Sequence, residues 1–117
     1  MIFSIDNSLA ALNVFLKKMR VTANNIANVN TDGFKKSRVS ISEGPRGEPM
    51  VNVVRINSPG PPNPAAQRDP TLDDELSNVE LTEEMPQMIL SLRSYQANLK
   101  TLKAKDEMLG ALLDIMS

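Results

Sequence analysis

The sequence predicts a mainly α-helical protein: an antiparallel two-helix coiled-coil hairpin formed by the two ends of the chain, with a short β-hairpin and an extended Pro-rich segment between them. Apolar residues recur at alternating spacings of four and three at both ends, which is typical of helices that pack along each other. The 117 residues include three Phe, one Tyr and no Trp. A large aromatic core is therefore excluded, whereas Leu, Met and Ala can fill a helix contact.

The first apolar stripe lies within the first 26 residues. Its members are Ile5, Leu9, Leu12, Leu16, Met19, Ala23 and Ile26. Ser4 or Asp6 can cap this helix. We expect it to end near Asn28, because an Asn-rich run follows and leads to Asp32-Gly33, a strong turn signal in which glycine can take a positive φ.

The second apolar stripe occupies the last third of the chain. Its members are Leu81, Met85, Met88, Leu92, Tyr95, Leu99, Leu102, Asp106, Leu109, Leu113 and Met116. We expect Thr82 to cap this helix, since a cap at Asn78 would place Pro86 where it kinks the helix. Asp106 is its one polar member, and it either marks the end of the two-helix contact or faces the backbone amides at the start of the first helix.

The middle of the chain predicts little regular structure. Residues 34–41 and 50–56 alternate as two strands of a loose β-hairpin, which by itself has nothing to pack on. Residues 57–70 contain five prolines and should be extended or disordered. We therefore divide one domain into an N-terminal core helix (1–29), a turn, hairpin and Pro-rich linker (30–80), and a C-terminal core helix (81–117).

The second helix predicts a contact with another chain. In an antiparallel pairing, the residues after about Glu107 extend beyond the first helix, and they include several Leu, Ile and Met. Such side chains need a partner. The pattern is compatible both with a closed homo-oligomer and with an open assembly.

Composition excludes several function classes. The net charge is −1 with both signs interspersed, which does not favour nucleic acid or an anionic membrane. Neither Cys nor His is present, so an enzyme is not expected, nor a metal or any other cofactor. We expect no cleaved signal peptide and no membrane insertion. The acidic run Asp73-Asp74-Glu75, with Asp69 upstream, is interpreted as solvated.

Two segments go beyond periodicity. The run ANNIANVNTDGFK covers residues 23–35, and SNVELTEEMPQMILSLRSYQANLKTLKAKDEML covers residues 77–109. In this order they resemble the two terminal signatures of the axial rod and hook proteins of the bacterial flagellum. Only some 50 residues, about 30–80, lie between the two predicted helices, and this brevity is most similar to the proximal-rod basal body proteins. Residues 30–34 and 106–109 look closer to the distal-rod and hook proteins.

The resemblance implies a structural protein of bacterial motility. It implies self-assembly through the terminal helices into the torque-transmitting periplasmic shaft of the basal body, with other rod subunits as partners in homo- and hetero-assembly. It also implies type III export through the flagellar export apparatus without a cleaved signal. The alternative is a helical adaptor or chaperone of that export system, which would bind a partner helix through its Leu and Met face.

The candidate site residues are expected to serve core packing and contacts between subunits. They are Leu9, Leu12, Leu16, Met19, Asn24, Asn25, Ile26, Asn28, Met88, Leu92, Tyr95, Gln96, Asn98, Leu99, Leu102, Leu109 and Leu113. On the resemblance, the asparagines hold the helix exit and contact neighbours. Tyr95, Gln96 and Asn98 would anchor the hairpin and its neighbours, although a core role for Tyr95 remains open.

Overall fold

The architecture is a long helix pair with one small β-hairpin. A computed structural model describes residues 2–117, with side chains from residue 5 onward. It contains helix α1 (Ile2–Ala27), strands β1 (Ser37–Glu43) and β2 (Pro49–Arg55), and helix α2 (Leu81–Met116). The molecule is elongated, with extents of 77 × 27 × 19 Å. The predicted mainly α-helical class with a short hairpin is confirmed.

Helices α1 and α2 lie side by side in opposite directions. Near one end the Asn25 side chain donates to Glu84 at 3.3 Å, and near the other the Lys105 ammonium donates to Ser8 at 2.8 Å. The two helices also form the most extensive contact between elements of the structure. The antiparallel arrangement therefore agrees with the sequence pattern, while coiled-coil packing stays a prediction.

The predicted helix caps are wrong. Helix α1 begins at Ile2, so Ser4 and Asp6 lie inside it. Helix α2 begins at Leu81, with Glu80 at the N-cap position and no capping bond from its side chain. Thr82 is therefore inside the first turn. Pro86 sits early in α2, where its missing N–H removes a single intrahelical bond.

The β-hairpin follows the predicted strands closely. Its antiparallel register pairs Val39 with Val53 and Ile41 with Val51. Both strands contact α1, on which Val14 is buried. The expectation that the hairpin has nothing to pack on is therefore wrong, because α1 gives one of its sides a packing surface.

The first part of the Pro-rich segment is extended and hydrogen-bonded to a later part of the chain. The N–H of Leu76 donates to the carbonyl of Pro61, and that of Asn63 donates to the carbonyl of Asp74, both at 2.8 Å. The two stretches approach so closely that a side chain at Gly60 would clash with the Leu76 carbonyl. Extended backbone is thus confirmed only for the first part of this segment, because Pro64–Gln67 forms a short 3₁₀ helix.

Asn78 joins the hairpin to the chain that enters α2. Its side-chain oxygen accepts from the N–H of Lys36 at 2.7 Å, and its amide donates to the carbonyls of Ile56 and Ser58 at 2.9 and 3.0 Å. The side chain is buried. Asn78 thus holds both ends of the hairpin, and it lies two residues before Glu80, the N-cap position of α2.

The buried part of the described chain is small and mostly polar. Its buried apolar residues are Leu12, Val14 and Val79, and its buried polar residues are Ser8, Thr22, Asn25, Asn63, Ser77, Asn78, Glu84 and Ser91. Hydrogen bonds and ion pairs consequently carry a large share of the specificity of this fold. Neither helix, over the residues that the structure describes, has the apolar length needed to cross a bilayer.

Candidate assembly interface

A buried polar cluster joins three elements at one end of the helix pair. We define the polar cluster as Asn25, Ser37, Arg38, Glu83 and Glu84. Glu84 is fully buried, and its carboxylate accepts from Nη1 of Arg38 at 2.5 Å. The other guanidinium nitrogen lies 2.6 Å from the carboxylate of Glu83. The hairpin is therefore tied to the first turn of α2 by charge-assisted contacts.

Asn25 completes the polar cluster from α1 and is fully buried. Its side-chain oxygen accepts from the N–H of Ser37 at 3.0 Å, and its amide donates to the carbonyl of the same residue at 2.9 Å. The same amide reaches Glu84. One side chain thereby satisfies both backbone groups at the start of β1, groups that are costly to leave unpaired when buried.

The ionisation of the cluster follows from these contacts. Burial by itself lowers the pKa of Arg38, but its hydrogen bonds to Glu84 and Glu83 outweigh that effect and raise the pKa above its ordinary value. Lys36, whose Nζ lies 3.0 Å from Glu83, and Arg38 together lower the pKa of Glu83. Arg38 is therefore positively charged and Glu83 negatively charged at neutral pH.

The face of α2 that turns towards α1 is only half apolar. Most of its buried and half-buried residues form a row at spacings of four and three, with Gln87 and Ser94 beside it, and the row is Glu84, Met88, Ser91, Tyr95, Asn98, Leu102, Lys105 and Leu109. Every second member is polar or small. Because the residues retain a seven-residue repeat, this inner face still follows α1 over six turns or more.

The apolar face of α2, which we define as Leu81, Met85, Leu92 and Leu99, is about half exposed, and Leu99 borders a gap between the two helices. Their exposed fractions are 44, 52, 43 and 48%. Only Met88, Tyr95, Leu102 and Leu109 of the predicted stripe also belong to the inner face. The stripe predicted as a single helix contact is thus split, because four of its eleven members belong to the inner face and the other seven are exposed.

Helix α1 shows a smaller shift of the same kind. Leu12 is buried, as predicted, but Leu9 is 46% exposed and Ala23 is also exposed. Ser8, Thr22 and Asn25 are buried instead. The contact face of α1 is thus rotated towards polar positions that hydropathy alone does not mark.

The predicted site residues fall into three groups by exposure. Leu12 and Asn25 are buried; Leu16, Met19, Ile26, Asn28, Met88, Tyr95, Asn98, Leu102 and Leu109 are half-buried; Leu9, Asn24, Leu92, Gln96, Leu99 and Leu113 are exposed. The first two groups lie mainly along the helix contact. The third group is exposed, and two of its members, Leu9 and Leu99, border a gap between α1 and α2.

The asparagines at the end of α1 have different surroundings. Asn28 donates to the carbonyl of Asn24 at 2.8 Å and accepts from the hydroxyl of Thr31 at 3.1 Å, so it holds the helix exit locally. Asn25 instead reaches into the polar cluster. The turn that follows uses Gly33 at a φ of 71°, as the Asp32-Gly33 signal predicts.

Asp106 makes no hydrogen bond to the backbone of residues 5–8. It is exposed and borders a recess of about 540 Å³ between the helices, together with Ile5, Leu9, Leu99, Leu102 and Lys103. Beyond this recess, residues 110–117 are all exposed. These positions favour the interpretation that Asp106 marks the region where the two-helix contact ends.

Sequence analysis missed Arg38, Glu83, Glu84 and Asn78 as structural residues. Their partners lie 20 to 59 positions away along the chain, so no local pattern reports them. One local signal was present, because Glu84 lies four residues before Met88, a member of the predicted apolar stripe, and so falls on the same side of α2. The described residues contain no group of carboxylates, His or Cys that could hold a metal ion.

Comparisons with known proteins match both helices. The family described as flagella basal body rod protein matches residues 5–35, and the family described as flagellar basal body rod FlgEFG protein C-terminal matches residues 74–115. These matches cover more than half of the chain. The chain belongs to the flagellar basal body rod protein family.

A curated relative agrees with this assignment. The flagellar basal-body rod protein FlgG of Bacillus subtilis (strain 168) is 46% identical over 43 residues, which is 37% of this chain and 16% of that relative. The chain thus matches only a small part of the length of this relative. The basal body rod matches include α1, most of α2 and the segment with Glu83 and Glu84, whereas residues 36–73, including Arg38, lie between them.

Proposed function

We propose that this protein is a structural subunit of the flagellar basal body rod that polymerises through its terminal helices. On this proposal it assembles with copies of itself and with other rod subunits into the torque-transmitting shaft in the periplasm. The family matches on both helices support this role. The short segment between the helices favours a proximal position in the rod, because it leaves no room for a large inserted domain.

The observation that carries the proposal is the outward-facing apolar face of α2. A protein that folds for itself alone would turn Leu92 and Leu99 inward and Ser91 and Asn98 outward. Here the order is reversed. Covering each half-exposed Leu or Met side chain stabilises an assembly by on the order of 1 kcal/mol, so a contact along the whole face provides a substantial driving force.

The polar cluster supports the same role in a different way. It fixes the register of α1, β1 and α2 through contacts that have a defined geometry, whereas apolar contacts tolerate sliding. We propose that the cluster presets the shape of the subunit and that the apolar face joins subunits. Export through the flagellar export apparatus without a cleaved signal peptide belongs to this proposal as well.

Mass spectrometry of purified basal bodies tests the proposed function. We expect the wild-type chain to be recovered in fixed stoichiometry after salt and detergent washing. A variant with Leu92→Glu and Leu99→Glu should be absent from basal bodies, while a control with Gln96→Glu, which adds charge to an exposed neighbouring position, should be incorporated. Recovery of the wild-type chain only in the cytosol would contradict the proposal and favour the export adaptor.

A further inference from the structure

A basic groove runs between α1 and the hairpin. It has a volume of about 520 Å³ and is lined by Asn13, Leu16, Lys17, Arg20, Val21, Asn24, Ser37 and Val53. Asn13, Lys17, Arg20 and Asn24 follow at spacings of four, three and four, which places them in one row along the helix. We call this surface the basic groove.

The positive charge of the basic groove is not neutralised within the subunit. Lys17 and Arg20 are exposed, and neither forms an ion pair with any residue whose side chain the structure describes. No Asp or Glu lines the groove. Its amide side chains add hydrogen-bonding groups, so the groove suits a carboxylate-bearing segment.

The same chain carries such a segment at a different place. We define the acidic loop as residues 69–75, in which Asp69, Asp73, Asp74 and Glu75 are the charged members. Lys35 neutralises Glu75 at 2.5 Å. Asp69, Asp73 and Asp74 are exposed and pair with no described cation. The loop therefore projects a concentrated negative charge.

The acidic loop is held by other parts of its own subunit, and none of its residues lines the basic groove there. Asn63 donates to the carbonyl of Asp73 at 2.9 Å, and the side chain of Asp73 lies so close to Gly33 that a Cβ there would meet it at 2.9 Å. The N–H of Gly33 in turn donates to the carbonyl of Glu75 at 2.9 Å. These contacts hold the loop beside the turn that follows α1, so its charge is presented to a different molecule.

We propose that the basic groove of one subunit binds the acidic loop of a second copy of this chain. The contact joins two different surfaces and is therefore heterologous, the type of contact that extends into rings or open filaments. It rests on the proposed function, because both require copies to meet. Complementary charge sets the register and the rate of encounter, and hydrophobic burial at the apolar face of α2 provides the driving force.

The two surfaces lie partly inside and partly outside the family matches. The hairpin wall of the groove and most of the acidic loop fall within residues 36–73, between the two matched regions. The helical wall lies inside the first match. The groove thus combines a helix inside one family match with a hairpin that lies outside both.

Disulfide trapping tests this contact, because the chain has no Cys of its own. Two proteins are mixed, one with Asn13→Cys in the groove and one with Leu72→Cys in the acidic loop, and the mixed dimer is measured under oxidising conditions. We expect it to exceed either homodimer at least fivefold at 0.02 M salt. Its yield should fall in 1 M salt, where the screening length is only about 3 Å.

Charge reversal identifies the groups responsible. Lys17→Glu with Arg20→Glu in the groove protein should reduce the mixed dimer at least fivefold, and Asp73→Lys with Asp74→Lys in the loop protein should restore it. The matched control, Arg93→Glu with Lys100→Glu, makes the same charge change on exposed positions of α2 and should leave the yield unchanged. Circular dichroism shows whether each variant keeps its helices.

The two proposals fail in distinguishable ways. Sedimentation of the same proteins measures self-association through the apolar face of α2. Self-association without an excess of the mixed dimer, or a mixed dimer that charge reversal does not change, would overturn the groove contact and leave the proposed function intact. Absence of all self-association would overturn the groove contact and homo-assembly together. Trapping of the groove only by an acidic segment of another rod protein would also overturn it.

Discussion

Part of α2 reverses the pattern of an ordinary amphipathic helix, because at three places a polar residue is more buried than the apolar residue that follows it. The neighbouring positions 84 and 85, 91 and 92, and 98 and 99 are Glu and Met, Ser and Leu, and Asn and Leu. In each pair the polar residue is the more buried one, and the apolar residue is 43–52% exposed. The polar residues of one helix can therefore determine how the subunit folds, while its exposed apolar residues provide the attraction between subunits.

The largest effect is expected at the inner face, from Glu84→Ala. This change leaves Arg38 without its buried partner, and removing one member of a buried ion pair costs about 3–5 kcal/mol. Glu83 still contacts Arg38, so we expect a value of about 3 kcal/mol. Urea unfolding followed by circular dichroism measures it. Met85→Ala on the outer face should cost less than about 1 kcal/mol, and equal losses for the two variants would contradict the comparison.

The next effect concerns Asn25→Ala in α1. It removes the side chain that bonds both backbone groups of Ser37, and we expect a loss of about 2 kcal/mol because buried backbone groups are left unsatisfied. The neighbouring control Asn24→Ala removes an exposed side chain and should stay within about 0.5 kcal/mol. Urea midpoints for the two variants decide this. A loss of stability at position 24 as large as that at position 25 would contradict the assignment of the stabilising contact to Asn25.

A pair of adjacent substitutions separates folding from assembly. Ser91 is fully buried, so Ser91→Leu should overpack the helix contact and destabilise the monomer by about 1–3 kcal/mol. Leu92→Ser should leave the monomer within about 1 kcal/mol and weaken self-association. Unfolding and sedimentation experiments on both variants measure the two properties. The comparison would fail if Leu92→Ser destabilised the monomer more than Ser91→Leu.

The smallest effect is a dependence on pH at the hairpin end. Lys36 and Arg38 lower the pKa of Glu83, and Lys35 lowers that of Glu75, from an ordinary value of 4.5. A carboxylate with a lowered folded-state pKa stabilises the fold above its unfolded pKa and loses that contribution as pH falls through the folded value. Stability should therefore be flat from pH 7 to about 5 and decline below pH 4.5.

The matched variant Glu83→Gln should reduce this decline, because it cannot take up a proton. Glu80→Gln is the control, since the side chain of Glu80 is exposed and makes no capping bond. Urea midpoints between pH 3 and 7 measure both variants. An unchanged acid transition in the Glu83 variant would show that its ion pairs add no stability.

Local patterns predicted the helices, the hairpin and the extended first part of the Pro-rich segment, because each has a period or a turn signal in neighbouring residues. The rotation of α2 about its axis could not be predicted in this way. It depends on Glu84, whose partners Asn25 and Arg38 lie 59 and 46 positions away. Hydropathy predicts that the apolar stripe of α2 packs against α1. In this structure the buried contacts of charged and amide groups determine which side of α2 faces α1.

Thiol labelling of two neighbouring positions tests whether position 91 is buried in the helix contact while position 92 is covered only on assembly. Single-cysteine variants Ser91→Cys and Leu92→Cys are exposed to a maleimide in dilute solution and after assembly. We expect Cys at position 91 to be protected in both states. Cys at position 92 should react rapidly in dilute solution and become protected on assembly. Equal reactivity of the two positions in dilute protein, or rapid reaction of position 92 in assembled protein, would contradict this expectation.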